Sequence, residues 1–132
     1  MAGEKPTIIV VSDYLTSDVK AHINTALEPR FNPLPPANLG VPTVNKIAEL
    51  GPNVAFLIPD LNNQEQVREL TGIVRRLRKR LPEATLVLQA TETPSIDLAA
   101  VKALVDGVLP EDLAYEFFGS ELFNMYLKHQ EL

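Results

Sequence analysis

At 132 residues, 45% hydrophobic and 22% charged, the chain fits one domain of ordinary globular composition, long enough to bury roughly two thirds of its unfolded surface. The absence of cysteine excludes thiolate catalysis, thiolate zinc sites and iron–sulfur clusters. A net charge of −5 argues against nucleic acid as the main partner.

In chain order, Thr7–Val11 reads as the first strand, and this apolar run is too short for a signal peptide or a membrane span. Ser17 stands as the cap of a helix over DVKAHINTAL. The segment EPRFNPLPPANLGVP is too rich in proline for a regular helix and leaves room only for an irregular edge strand near RFNPL. Thr43 opens a helix over VNKIAEL, and Val54–Ile58 is the next strand, followed at once by Pro59 and Asp60. Asn62 or Asn63 opens the long helix QEQVRELTGIVRRLRKRL, with an apolar stripe of Val67, Leu70, Val74, Leu77 and Leu81. A strand over Ala84–Ala90, a helix IDLAAVKALV opened by Ser95, a short strand Gly107–Leu109 and a helical segment from about 111 complete the chain. No internal repeat is present, and residues 1–132 read as one domain.

β-Branched runs alternating with helical periods are the pattern of a parallel sheet covered on both faces. The expected fold is therefore α/β: a flavodoxin-like three-layer sandwich with a five-stranded parallel sheet of order 2-1-3-4-5. Ligands of such folds sit beyond the carboxyl ends of strands 1 and 3. Asp13 follows strand 1 and Asp60 follows strand 3, so both carboxylates are predicted at that place.

Three segments resemble a known family. IIVVSDYLTSD is similar to the first strand and acidic pair of the response-regulator receiver domains of bacterial two-component signalling, PNVAFLIPDLNN to the strand ending in their phosphoacceptor aspartate, and VDGVLPEDL to their fifth strand and its lysine turn. IVRRLRKRLPEATLVLQATE is similar to their third helix and fourth strand, so the resemblance covers almost the whole chain. It implies that Asp60 matches the phosphoacceptor and Asp13 the second acid of a magnesium-holding pair, with Asp13 and Asp60 as the candidate metal ligands. Elsewhere the sequence departs from the pattern. Ser12 stands at the first acid, Gln89 or Ala90 at the hydroxyl with Thr91 slightly late, and Val108 at the aromatic residue of strand 5. At the lysine stands Glu111 or, on a shifted match, Leu109. The family's lysine, hydroxyl and metal each offset charge building on the phosphoryl oxygens. Asp60, Asp13, Ser12, Gln89 and Glu111 thus resemble the phosphorylation pocket of a degenerate pseudo-receiver. One acid fewer leaves magnesium binding at about millimolar affinity or weaker, and no cofactor is expected.

Local structure alone also accounts for these residues. Asp60 and Asp13 suit turns or helix caps, Pro59 stops the third strand at Ile58, and Glu111 with Asp112 suits the positive end of the last helix. Neither a triad nor a zinc site can be built from His22 and His129, which read as surface or boundary residues. Glycine loops for phosphate are missing. The cluster Arg75, Arg76, Arg78, Lys79 and Arg80 reads as a solvated helix end.

The last segment, EDLAYEFFGSELFNMYLKHQEL, carries two apolar stripes. Leu113, Ala114, Phe117 and Phe118 form the first; beyond Gly119, Leu122, Met125 and Tyr126 fall roughly opposite, with Phe123 and Leu127 further round. One helix on one sheet cannot bury both. Either the chain kinks at Gly119–Ser120, or Phe118, Leu122, Phe123, Tyr126 and Leu127 meet a protein partner or a second copy in a homodimer. The expected function is a cytoplasmic signalling or regulatory protein-interaction module, neither an enzyme nor phosphorylated by the usual mechanism, without nucleic-acid or membrane contact. Two alternatives remain: an atypical receiver phosphorylated on Asp60, and a flavodoxin-like domain binding a small ligand in the same crevice.

Overall fold

The computed structural model describes residues 5–90 and 96–131. Five parallel strands, β1 (Thr7–Val11), β2 (Asn32–Pro33), β3 (Val54–Leu57), β4 (Thr85–Ala90) and β5 (Gly107–Pro110), form one sheet in the order β2-β1-β3-β4-β5. This is the expected flavodoxin-like order. Ile8 lies opposite Val54 and Val11 opposite Leu57, and β3 is paired in turn with β4 from Val54↔Thr85 to Leu57↔Leu88.

Alternation along the strands divides the core between the two faces. Ile9, Val11, Ala55, Leu57, Leu86 and Leu88 point toward α2 (Val44–Leu50), α3 (Gln64–Arg80) and α4 (Ile96–Lys102), meeting Ile47, Leu70, Val74, Leu77 and Val101. Ile8, Val10, Val54, Phe56 and Val87 point toward α1 (Ser17–Leu27) and α5 (Phe118–Gln130), meeting Ile23, Leu27, Phe118 and Leu122. Because both faces are covered, β1, β3 and β4 are apolar at consecutive positions. Among the described residues no helix is long and apolar enough to cross a membrane.

Local chemistry sets the boundaries and corrects some expected ones. Thr16, not Ser17, caps α1, its hydroxyl accepting from the Val19 N–H at 3.2 Å. Thr43 precedes α2, yet its hydroxyl donates back to the carbonyls of Asn38 (2.6 Å) and Gly40 (2.8 Å). A 3-10 turn over Val41–Thr43 leads directly into α2, so Thr43 lacks the extended backbone that a capping side chain needs. Asn63 does cap α3, accepting from the Gln66 N–H at 3.1 Å. The α3 stripe is as expected with Ile73 added, and Leu81 is only partly buried. Gly51 ends α2 at φ 60°, the left-handed conformation that favours glycine. The expected cap Ser95 lies outside the described residues.

The C-terminal segment turns helical at Tyr115, not at about 111. Pro110 ends β5, Glu111 and Asp112 lie in a turn, and Ala114 is extended at ψ 144°; one 3-10 turn (Tyr115–Phe117) then passes into α5. Glu111 and Asp112 therefore do not occupy a helix's first turn. The change of helix type just before Gly119 rephases the apolar pattern, which is why one continuous helix appeared to carry two stripes. Gly119 then permits close approach of α5 to α1: an added Cβ would lie 3.2 Å from the Ala26 carbonyl oxygen.

Candidate functional site

A cleft of 310 Å³ opens where β3 and β5 end, lined by Tyr14, Leu15, Asp60, Gln89, Glu111 and Tyr115 among others. Asp60 and Glu111 stand on segments that have just left a strand and Gln89 near the end of β4, as parallel α/β topology dictates. Glu111 lines this cleft, whereas Leu109 is buried against the α1 and α5 side of the core. Of the two alignments left open by the sequence, the geometry brings Glu111 to Asp60.

Asp60 organises its own loop. Its Oδ1 accepts from the Asn62 N–H at 3.1 Å and its carbonyl from the Asn63 N–H at 3.0 Å, leading the chain into α3. Ser12 is fully buried: its N–H donates to the Ala37 carbonyl at 3.0 Å, and its hydroxyl accepts from the Leu15 N–H at 3.4 Å. Asp13 is exposed, and its Oδ2 accepts from Gln66 Nε2 at 2.6 Å. The other end of the same amide, Gln66 Oε1, accepts from the Asp60 N–H at 2.8 Å. Asp60, Gln89 and Glu111 thus share the cleft. Ser12 and Asp13 do not line it, and Asp13 is tied instead to Gln66.

Tyr14 and Gln66 were not singled out from the sequence. Tyr14 is half exposed at the rim, and burial, followed by the nearby charges of Glu111 and Asp60 and by Tyr115, raises its phenol above the ordinary range. Gln66 is the third helical residue after the Asn63 cap, a spacing typical of capping boxes. That spacing marks a glutamine whose side chain turns back toward the helix start.

Magnesium, which the resemblance implies, requires several free oxygen ligands. Here one Asp13 oxygen accepts from Gln66, Asp60 Oδ1 from Asn62, and the buried Ser12 hydroxyl from Leu15, and Ser12 supplies no charge. Among the described residues no group of three His, Cys, Asp or Glu side chains is placed to hold a metal. The donor set does not fit that ion.

Other candidates are dispersed. His22 is exposed and lies against the Tyr115 ring at 5.5 Å, while His129 Nδ1 is 2.8 Å from the Thr85 hydroxyl and its Nε2 3.4 Å from Asp106. Of the basic cluster, Arg78 binds Asp106 at 2.6 Å and the Ala84 carbonyl at 2.8 Å, and Arg80 donates to Asn45. These two cations serve internal ties. Among the expected interaction residues, Phe118 and Leu122 are fully buried in the domain's own core. Phe123 packs edge-on against Phe31 at 5.8 Å, with Arg30 above its ring at 5.7 Å, and Tyr126 lies beside it. Phe123 and Tyr126 are half-buried; Leu127 is 43% exposed. The interaction surface read from the sequence shrinks accordingly.

No protein-family model and no curated protein sequence matches the chain. Solved structures do. The signal receiver domain of the response regulator NarL from Mycobacterium tuberculosis superposes with a TM-score of 0.73 at 16% identity, over 94% of this chain and 98% of that one. The chain has a receiver-domain fold. A second receiver domain, from a modulated diguanylate cyclase of Desulfovibrio desulfuricans, gives 0.71 at 14% identity over 97% and 98% of the two chains. A pilus assembly-related protein of Burkholderia pseudomallei gives 0.64 at 15% identity over 93% and 90%. Within that fold, Asp60 stands just after β3 and Glu111 in the turn after β5.

Proposed function

We propose that this chain is a receiver-like signalling module that acts in the cytoplasm through protein contacts, is not an enzyme, and does not use Asp60 for phosphoryl transfer by the usual route. The observation that carries the reading is the placing of Glu111 in the cleft of Asp60, with no cationic side chain among the described lining residues. A phosphoryl group there would meet a carboxylate, and like charges at about 4 Å repel by about 4 kcal/mol near a protein surface. Incubation with magnesium and acetyl phosphate is expected to leave the intact mass unchanged. A stoichiometric adduct that is lost in Asp60→Asn would overturn the reading and install the atypical phosphorylated receiver in its place.

The partner in this reading is a protein or a second copy rather than nucleic acid. Two features support that choice: the exposed Leu127 on α5, and a cleft that sets two carboxylates beside the phenols of Tyr14 and Tyr115. Such a cleft suits a basic side chain better than a phosphate backbone. Leu127 carries no core packing, unlike Phe118 and Leu122, so Leu127→Glu isolates the surface role. If α5 forms a homodimer, that variant lowers the mass seen by light scattering while circular dichroism is unchanged. An unchanged mass in a dimeric wild type removes Leu127 from the contact.

A further inference from the structure

We infer that the Gln66 carboxamide satisfies, from within the chain, the Asp13 oxygen that a divalent cation would otherwise engage, and through the Asp60 backbone N–H joins the ends of β1 and β3 without metal. This goes beyond the functional reading above and does not depend on whether Asp60 is ever modified. A primary amide presents one donor end and one acceptor end, and both are used here. Nε2 donates to the Asp13 carboxylate at 2.6 Å, and Oε1 accepts from the Asp60 N–H at 2.8 Å. The first bond involves an ionised acceptor and belongs to the stronger class. It spans 53 positions of sequence and ties the loop after β1 to the first turn of α3.

The amide is also well supported. Gln66 is 6% exposed, and its backbone N–H is held by Asn63 in the first turn of a 17-residue helix. A cation that takes the Asp13 oxygen facing Gln66 must displace the amide nitrogen and leave a buried donor unpaired. Magnesium must in addition shed part of its hydration shell. Gln66 therefore sets the specificity at this oxygen: it satisfies Asp13 Oδ2 with a neutral group and disfavours the ion there.

Glutamate has the same shape but replaces the donor with a second carboxylate facing Asp13. Gln66→Glu is therefore expected to melt about 4 °C lower than the wild type in chelator, and to recover on addition of millimolar magnesium or manganese, which would bridge the two carboxylates. The wild type is expected to show no such cation-dependent rise. Gln66→Met, similar in volume but without the amide, should lose stability without recovery and should shift the Asp60 N–H resonance in a proton–nitrogen spectrum. The inference is overturned if the wild type is stabilised by the cation as much as Gln66→Glu, if Gln66→Glu is indifferent to it, or if the Asp60 resonance in Gln66→Met is unmoved.

Discussion

Replacing Phe118 with alanine is expected to destabilise the domain by about 3–5 kcal/mol, a large part of the 5–15 kcal/mol typical of a native fold. The ring is fully buried and meets Phe56 of β3 edge-on, with centroids 5.3 Å apart and planes at 86°. It also contacts Tyr115 at 5.3 Å, so one side chain joins the central strand, the 3-10 turn and the start of α5. The surroundings belong to separate elements and cannot all close on the space left behind, which places the cost toward the upper end. Urea denaturation of wild type and variant measures it. A loss below about 1 kcal/mol would mean that the core relaxes around the cavity and that Phe118 is no anchor. Phe118→Leu, which retains most of the apolar volume, is expected to lose clearly less.

The second large effect is expected at the opposite end of the sheet. Asp106 precedes β5, and its Oδ2 accepts from Arg78 Nη2 at 2.6 Å and from the Leu86 N–H at 2.8 Å; its Oδ1 lies 3.4 Å from His129 Nε2. His129 also meets the Thr85 hydroxyl, so the carboxylate links α3, β4 and the end of α5. Asp106→Ala leaves a buried backbone donor on Leu86 and a guanidinium without its partner. The expected cost is about 1–3 kcal/mol, much of it from the Leu86 N–H, because the partly exposed Arg78 pair is screened by solvent. Amide exchange tests that division. Leu86 should lose protection in Asp106→Ala but keep most of it in Asp106→Asn, whose side-chain oxygen still accepts. Equal loss in both variants would assign the stability to the charge pair instead.

The strands were legible because a sheet covered on both sides demands consecutive apolar residues, and Thr7–Val11, Val54–Leu57 and Thr85–Ala90 supply them. Asp60, Gln89 and Glu111 were legible for a related reason: polar residues at the end of such runs or just beyond them must gather at one end of a parallel sheet. What stayed hidden depends on long-range geometry or on a change of helix type. Gln66 gains its meaning from a carboxylate far away in the chain, and no period along α3 records that. The two stripes of the C-terminal segment presume one uninterrupted helix, so a single 3-10 turn before Phe118 was enough to make core residues look like an exposed face. At the start of α1, Thr16 and Ser17 are adjacent hydroxyls of nearly equal capping ability, and the backbone decides between them.

The proline in β2 bears on how copies of this protein meet at high concentration. The N–H groups of Asn32 and Leu34 both turn inward, to the carbonyls of Pro6 and Ile8. The residue between them, whose N–H would point away from the sheet, is Pro33, and Pro35 and Pro36 follow directly. A strand from another molecule finds no donor there to begin a ladder. This margin therefore resists edge-to-edge stacking and the fibrous aggregates that grow from it, and on this side of the sheet association between molecules falls to helix surfaces and loops, where side chains decide which neighbour is accepted.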